Sequence, residues 1–235
     1  MANNARLIQE ITTFLATKSL TPNTTWLTTN LATLKPDIHL QGAKQLIYIR
    51  LLNTSLQSTI QITPSSIFPQ DILNGNITSR LLKGPIPVQV MDIEDIGKSR
   101  WSQLEAIEAD ERGETTRGQE IVRVVRDEED AERDQSATQT SSPSSGPHKL
   151  LLQDAKGLRV YGFELSTVTG INMNIHIGCK LVLRDVSVAR GVILLEPKSV
   201  TVAGGKIEEL HQTWKAGRKE NLKRMANAGS STQGG

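Results

Sequence analysis

His176 and Cys179 stand three residues apart, a spacing that lets two side chains share one zinc ion. A tetrahedral site needs four ligands, and the chain offers no second Cys/His pair at zinc spacing, so no metal site is expected. The run Gly204-Gly205-Lys206 lacks the upstream glycine and the following Ser/Thr of a phosphate-cradling loop. No Ser-His-Asp or Cys-His grouping emerges from the remaining residues, so the sequence predicts no enzyme, no cofactor and no small-molecule substrate. The chemistry left to it is that of binding.

Two groups of residues suit that chemistry. Ile93, Ile96, Trp101, Leu104 and Ile107, with Asp95 among them, flank an acidic tract that offers apolar side chains no evident core, so these six are the expected partner-binding residues. Trp101 is the expected anchor, because tryptophan is enriched at binding hot spots. Lys215, Arg218, Lys219, Lys223 and Arg224 form a basic cluster suited to a salt-dependent contact with nucleic-acid phosphates. Proteins that hold single strands also stack bases on exposed aromatics, at roughly 1 to 3 kcal/mol per base. Aromatic residues make up only 3% of this chain, and that scarcity ranks direct DNA recognition second. Tyr161 and Phe163 share one face of a strand by their two-residue spacing and are expected to pack in the core. The scattered cations Lys156, Arg159, Lys180, Arg184 and Arg190 are expected to be solvated.

Elements must position these groups, and composition bounds them. With 235 residues, 37% of them hydrophobic, the chain can bury a core over part of its length; its net charge of +2 does not mark it as a polyanion binder. Cys179 is the sole cysteine, which excludes an internal disulfide framework and, without an export signal, predicts a reducing intracellular compartment. The Asn-x-Ser/Thr triplets at Asn23, Asn53 and Asn76 then carry no meaning. Apolar runs fall short of the ~20 residues that span a bilayer, so no membrane segment is expected.

Leu7, Ile8, Ile11, Phe14 and Leu15 recur at helical spacing, and Thr21-Pro22 reads as the cap and first-turn proline of a second helix carrying Trp26, Leu27, Leu31 and Leu34. Lys35-Pro36 is expected to stop it, and Leu40, Ala43, Ile47 and Leu51 mark a third. Residues 1–60 are thus predicted to form a small helical bundle, with 61–84 a connector packed over it. Gly84-Pro85-Ile86-Pro87 precedes a strand marked by Val88, Val90 and Ile93. Leu150 to Leu152 and Leu158 to Leu165 read as a hairpin turning at Asp154-Ala155-Lys156-Gly157. Lys180 to Val188 and Gly191 to Leu195 read as a second, extended by Val200 to Val202. The expected fold class is α+β: the bundle, then a five-stranded OB-type barrel over 85–210, then a helix and basic, Gly-rich tail over 211–235. Residues 95–147 form a long insertion between strands 1 and 2, largely disordered where acidic and Ser/Thr/Pro-rich stretches follow Ile121 to Val125.

The segments LKGPIPVQVMDIEDIGKSRWSQLEAI at 82–107, LLLQDAKGLRVYGFEL at 150–165 and GCKLVLRDVSVARGVILLEPKSVTVAGGKIEEL at 178–210 resemble the RecQ-mediated genome instability protein one family in its compact fungal form. The helical bundle agrees with that family in layout more than in letters. The resemblance implies a nuclear, non-catalytic OB-fold scaffold that binds a type IA topoisomerase and, with it, a RecQ-family helicase, in a complex that dissolves double Holliday junctions. It also implies that the insertion reaches the topoisomerase gate and influences strand passage. Larger relatives continue into a second OB domain; residues 228–235 read as an end without one, and no Tudor-like segment is expected. From the residues alone, a stand-alone single-stranded DNA-binding module remains the alternative.

Overall fold

A computed structural model describes residues 2–35, 38–112 and 146–230. The chain divides into two compact units, one comprising Met1–Gly97 with Gly146–Arg218, the other Lys98–Ser145 with Lys219–Gly235. Most of the segment expected to be disordered, 113–145, lies outside the described residues, as do Pro36 and the final five residues.

In the first unit the helical stripes read from the sequence form α1 (Ala2–Thr17), α2 (Thr24–Ala32), α3 (Leu40–Leu52) and the short α4 (Leu56–Thr59). Each is marginal alone in water, so each depends on burying its stripe. Ile11, Leu15, Leu27, Ala43, Ile47, Leu51 and Leu56 do so in one cluster. The start of α2 differs from the Thr21-Pro22 expectation. The Asn23 side-chain oxygen accepts from Thr25 N at 2.9 Å and Trp26 N at 3.4 Å, making Asn23 the cap. Pro22 instead bridges Ile60 in an isolated antiparallel pair, where its missing N–H removes no needed donor.

The connector packs on both bodies: Ile67 lies against the bundle cluster, as expected, while the residues after it turn to the sheet. Phe68 and Ile72, 2% and 1% exposed, enter the barrel core, and the Phe68 N–H donates to Asp154 Oδ2 at 2.9 Å. Pro64, Pro69 and Asn74-Gly75 made the segment read as a surface loop and concealed two core anchors.

Among the described residues eight strands follow where five were expected: β1 (Arg80–Leu82), β2 (Ile86–Asp95), β3 (His148–Asp154), β4 (Arg159–Glu164), β5 (Lys180–Leu183), β6 (Val186–Ala189), β7 (Val192–Leu195) and β8 (Val200–Gly204). They form one curled sheet in the order β1-β6-β7-β4-β3-β2-β5-β8. The expected strand from Lys180 to Val188 is two, broken at Asp185, whose φ of 45° lies in the left-handed region. β8 pairs β5 instead of extending the second hairpin, and β1 adds an edge beside β6. The first hairpin is as read: β3 and β4 pair antiparallel, Asp154 Oδ1 caps the turn by accepting from Lys156 N and Leu158 N, and Gly157 supplies φ 96°. β6 and β7 turn through Arg190-Gly191, both at positive φ, as a two-residue primed turn requires.

A register shift between Val90 and Asp92 puts one extra residue into β2. That bulge keeps Ile93 on the inner side with Val88 and Val90, joining Leu150, Leu152, Leu181, Leu183, Ile193 and Leu195 in the core. On β4 the inward residues are Val160, Gly162 and Glu164; Tyr161 is 49% exposed and Phe163 half-buried, so this pair faces outward and not into the core as expected. A Cβ at Gly162 would stand 3.0 Å from Leu152 and 3.1 Å from Leu195, so both leucine side chains would have to give way to it. Lys180, expected in solvent, is fully buried.

The second unit is described at α5 (Arg100–Glu111) and at the later turns of α6 (Glu208–Ser230). α6 begins at Glu208, three residues ahead of the expected 211, and runs through Gly217. No helix among the described residues is long and apolar enough to cross a membrane.

Candidate partner-binding site

The six expected partner-binding residues fall in different surroundings. Ile93 is 3% exposed in the barrel core and Asp95 1% exposed at the end of β2, so neither offers a surface. Ile96, 38% exposed, follows them, and its N–H donates to Pro147 O at 3.1 Å where the chain returns from the insertion. Asp95 Oδ1 accepts from Gly97 N at 2.9 Å, fixing the turn out of β2.

On α5 the Ser99 hydroxyl accepts from Ser102 N at 3.1 Å, the bond expected of an N-terminal cap. The spacing that marked Trp101, Leu104 and Ile107 as one face gives three degrees of burial. Trp101 is 57% exposed, Ile107 half-buried and Leu104 buried. Among the described residues Trp101 and Leu73 are the most exposed of the large apolar side chains, each at 57%, and of the two only tryptophan is a residue type enriched at binding hot spots.

The basic residues divide as well. Trp214 packs against the barrel core and donates through Nε1 to Asp92 Oδ1 at 2.7 Å, while the Arg218 guanidinium lies 5.0 Å from the Trp214 ring centre. Lys215 is exposed. In the second unit Lys219 Nζ sits 2.6 Å from Glu111 and 3.4 Å from Glu108, Lys223 Nζ 3.5 Å from Glu108, and Arg224 donates to Asn221. Arg100, at the start of α5, reaches Met225 O at 3.5 Å, so the two helices run antiparallel. Partial burial pushes the Glu108 carboxyl up, and the charges of Lys219 and Lys223 more than reverse it, holding the group below its ordinary value. The hydrogen bond to Glu111 pushes the Lys219 ammonium up. Two of the five expected phosphate-binding cations are therefore already engaged by carboxylates.

His176 and Cys179 do not converge on an ion: His176 is exposed and Cys179 buried, joined only by a Cys179 N–H to His176 C=O bond of 3.0 Å. The His176 ring instead meets His211 edge-on at 5.1 Å, and His211 Nδ1 accepts from Ile177 N. Polar residues that the sequence did not single out lie at the base of the insertion. His148 Nδ1 lies 2.6 Å from Glu164 Oε2, and both residues are 3% exposed. No local pattern joins residues sixteen apart across a hairpin, so only their shared burial reveals them.

A curled sheet whose first two long strands, β2 and β3, pair across a long stretch of intervening sequence has the architecture of an OB-fold. A family profile described as "RMI1, N-terminal OB-fold domain" matches residues 68–218, and the chain belongs to that family. It is 34% identical over 131 residues to "RecQ-mediated genome instability protein 1" of Schizosaccharomyces pombe, covering 52% of this chain and 56% of the relative. It is 28% identical over 144 residues to the protein of the same name from Xenopus laevis, covering 59% of this chain and 23% of that one. The chain thus spans about half the length of the first relative and about a quarter of the second. The shared name associates the family with genome stability and the RecQ pathway.

Proposed function

We propose that the chain is a non-catalytic scaffold subunit that binds a type IA topoisomerase and, through it, a RecQ-family helicase. In this reading it acts in the nucleus, and its insertion modulates the topoisomerase's DNA gate during double Holliday junction dissolution and decatenation. Family membership supports the setting. The observation that carries the docking is Trp101, 57% exposed on a helix that begins three residues beyond Gly97, with Ile96 exposed just before it. Truncating a tryptophan at a hot spot costs on the order of 2 kcal/mol, about 30-fold in Kd. Trp101→Ala is therefore expected to weaken the topoisomerase complex by that factor in a binding titration while the barrel's thermal midpoint stays in place. Unchanged affinity would remove the docking role.

One observation favours the second reading, a stand-alone single-stranded DNA-binding module. Tyr161 faces solvent with Lys149 Nζ 4.4 Å above its ring and Arg159 exposed on the same strand. Bases stack on such rings. In the scaffold reading the chain alone binds an oligonucleotide weakly in an anisotropy titration. Tight binding that falls steeply with salt and disappears in Tyr161→Ala would transfer the assignment to the second reading.

A further inference from the structure

The insertion leaves and re-enters the barrel through a neck built from buried polar side chains and backbone in contact. Asp95 and His148 are direct partners in the β2–β3 ladder and the last pair before the chains diverge. Glu164 on β4 reaches the same point. Its Oε2 lies 2.6 Å from His148 Nδ1 and accepts the His148 N–H at 3.1 Å, while its Oε1 accepts the Val168 N–H at 2.7 Å. One carboxylate thus ties β3, β4 and the following loop together. One residue further out, the strands close through Ile96 N to Pro147 O, and the two chains touch at Gly97 and Gly146. A Cβ on Gly97 would stand 2.5 Å from the Gly146 Cα, closer than real side chains come, and neither glycine needs a left-handed φ. Glycine is there for the close approach alone.

Burying three ionisable groups is an expensive way to end a hairpin. Polar side chains taken out of water lose hydration, and an apolar replacement of similar size is often as stable or more so. What the Glu164–His148 hydrogen bonds add is a single geometry, since they tolerate little displacement. An ordinary surface loop needs no such base. An insertion that must act on another molecule does, because a base that swivels dissipates the displacement it should transmit.

We propose that Glu164 and His148, with the Gly97/Gly146 contact, are positioning residues that clamp both ends of the insertion at one point of the barrel. The clamp rests on the scaffold reading and deepens it: partner affinity comes from the surface around Trp101, whereas the effect on the partner's gate depends on the clamp.

The test compares Gly97→Ala and Glu164→Gln in the full chain and in a chain lacking residues 113–145, reading thermal midpoint, topoisomerase affinity and stimulation of decatenation. Gly97→Ala keeps the Glu164 and His148 side chains and so serves if Glu164→Gln fails to fold. In the full chain the folded variants are expected to bind within about threefold of the parent, yet lose at least about tenfold in stimulation, as misplacement by an ångström can cause. In the shortened chain the same substitutions are expected to have no further effect, since coupled sites are non-additive. Full stimulation by the variants, or equal further loss in the shortened chain, would overturn the clamp. Should removal of 113–145 itself leave stimulation unchanged, the scaffold reading fails first, and the two failures are told apart.

Discussion

Lys180 sits on β5 opposite Gln89 and Gly204, fully buried, with Nζ donating to Gly178 O at 2.6 Å. Burial pushes its ammonium down to about 7 from an ordinary 10.5, with the neighbouring Cys179 opposing. Between those values the unfolded chain carries a proton that the folded chain lacks, so stability rises with pH across roughly 7 to 10.5 and declines as pH falls back toward 7. Replacing a buried ion by an apolar side chain of similar volume is typically neutral or stabilising by about 1 to 4 kcal/mol. Lys180→Met is expected to raise the denaturant midpoint at pH 7 and to flatten the rise between pH 7 and 9; a lower midpoint would show that the ammonium is worth more than its burial costs. Nothing in the letters around Lys180 marks it as buried. A lone lysine in a run of apolar residues reads as an outward position until the packing around that strand is known.

At the level of elements, the short anchors and the long strands behave differently. The hairpin β3–β4 was legible because Asp154 and Gly157 carry their own turn chemistry and the strands alternate on either side. The residues of the connector were not, since Phe68 and Ile72 stand among prolines and a turn dipeptide and find their place only against a barrel assembled from distant strands. Their burial makes the segment part of the core. Phe68→Ala is expected to destabilise the fold by about 3 to 5 kcal/mol in denaturant unfolding, the range for a buried phenylalanine. A loss below about 1 kcal/mol would return the connector to the surface. α5 shows the same division: its helical spacing is visible in Trp101, Leu104 and Ile107, but which of them is exposed is not, because a helix face is only assigned by what packs on it. The basic run on α6 was likewise legible as charge and illegible as function, for Glu108 and Glu111 lie more than a hundred residues away in sequence.

For the molecule as a whole, the order of parts follows from local signals: a helical bundle, a β-rich body, a long charged excursion between the first two long strands, and a final helix. Those signals are periodicity, turn residues and composition, each carried by a few neighbouring residues and therefore readable without the fold. The resemblance to the family rests on the same contiguous segments, and the match to residues 68–218 covers them. Tertiary structure alone decided that Phe68 fills the barrel, that Tyr161 faces out, that Lys180 is buried, and that Asp95, His148 and Glu164 meet at the neck. The reason is common to all four. Burial and pairing depend on which surfaces close over a residue, and in a curled sheet those surfaces come from strands remote in sequence, so no window of neighbouring letters contains the information.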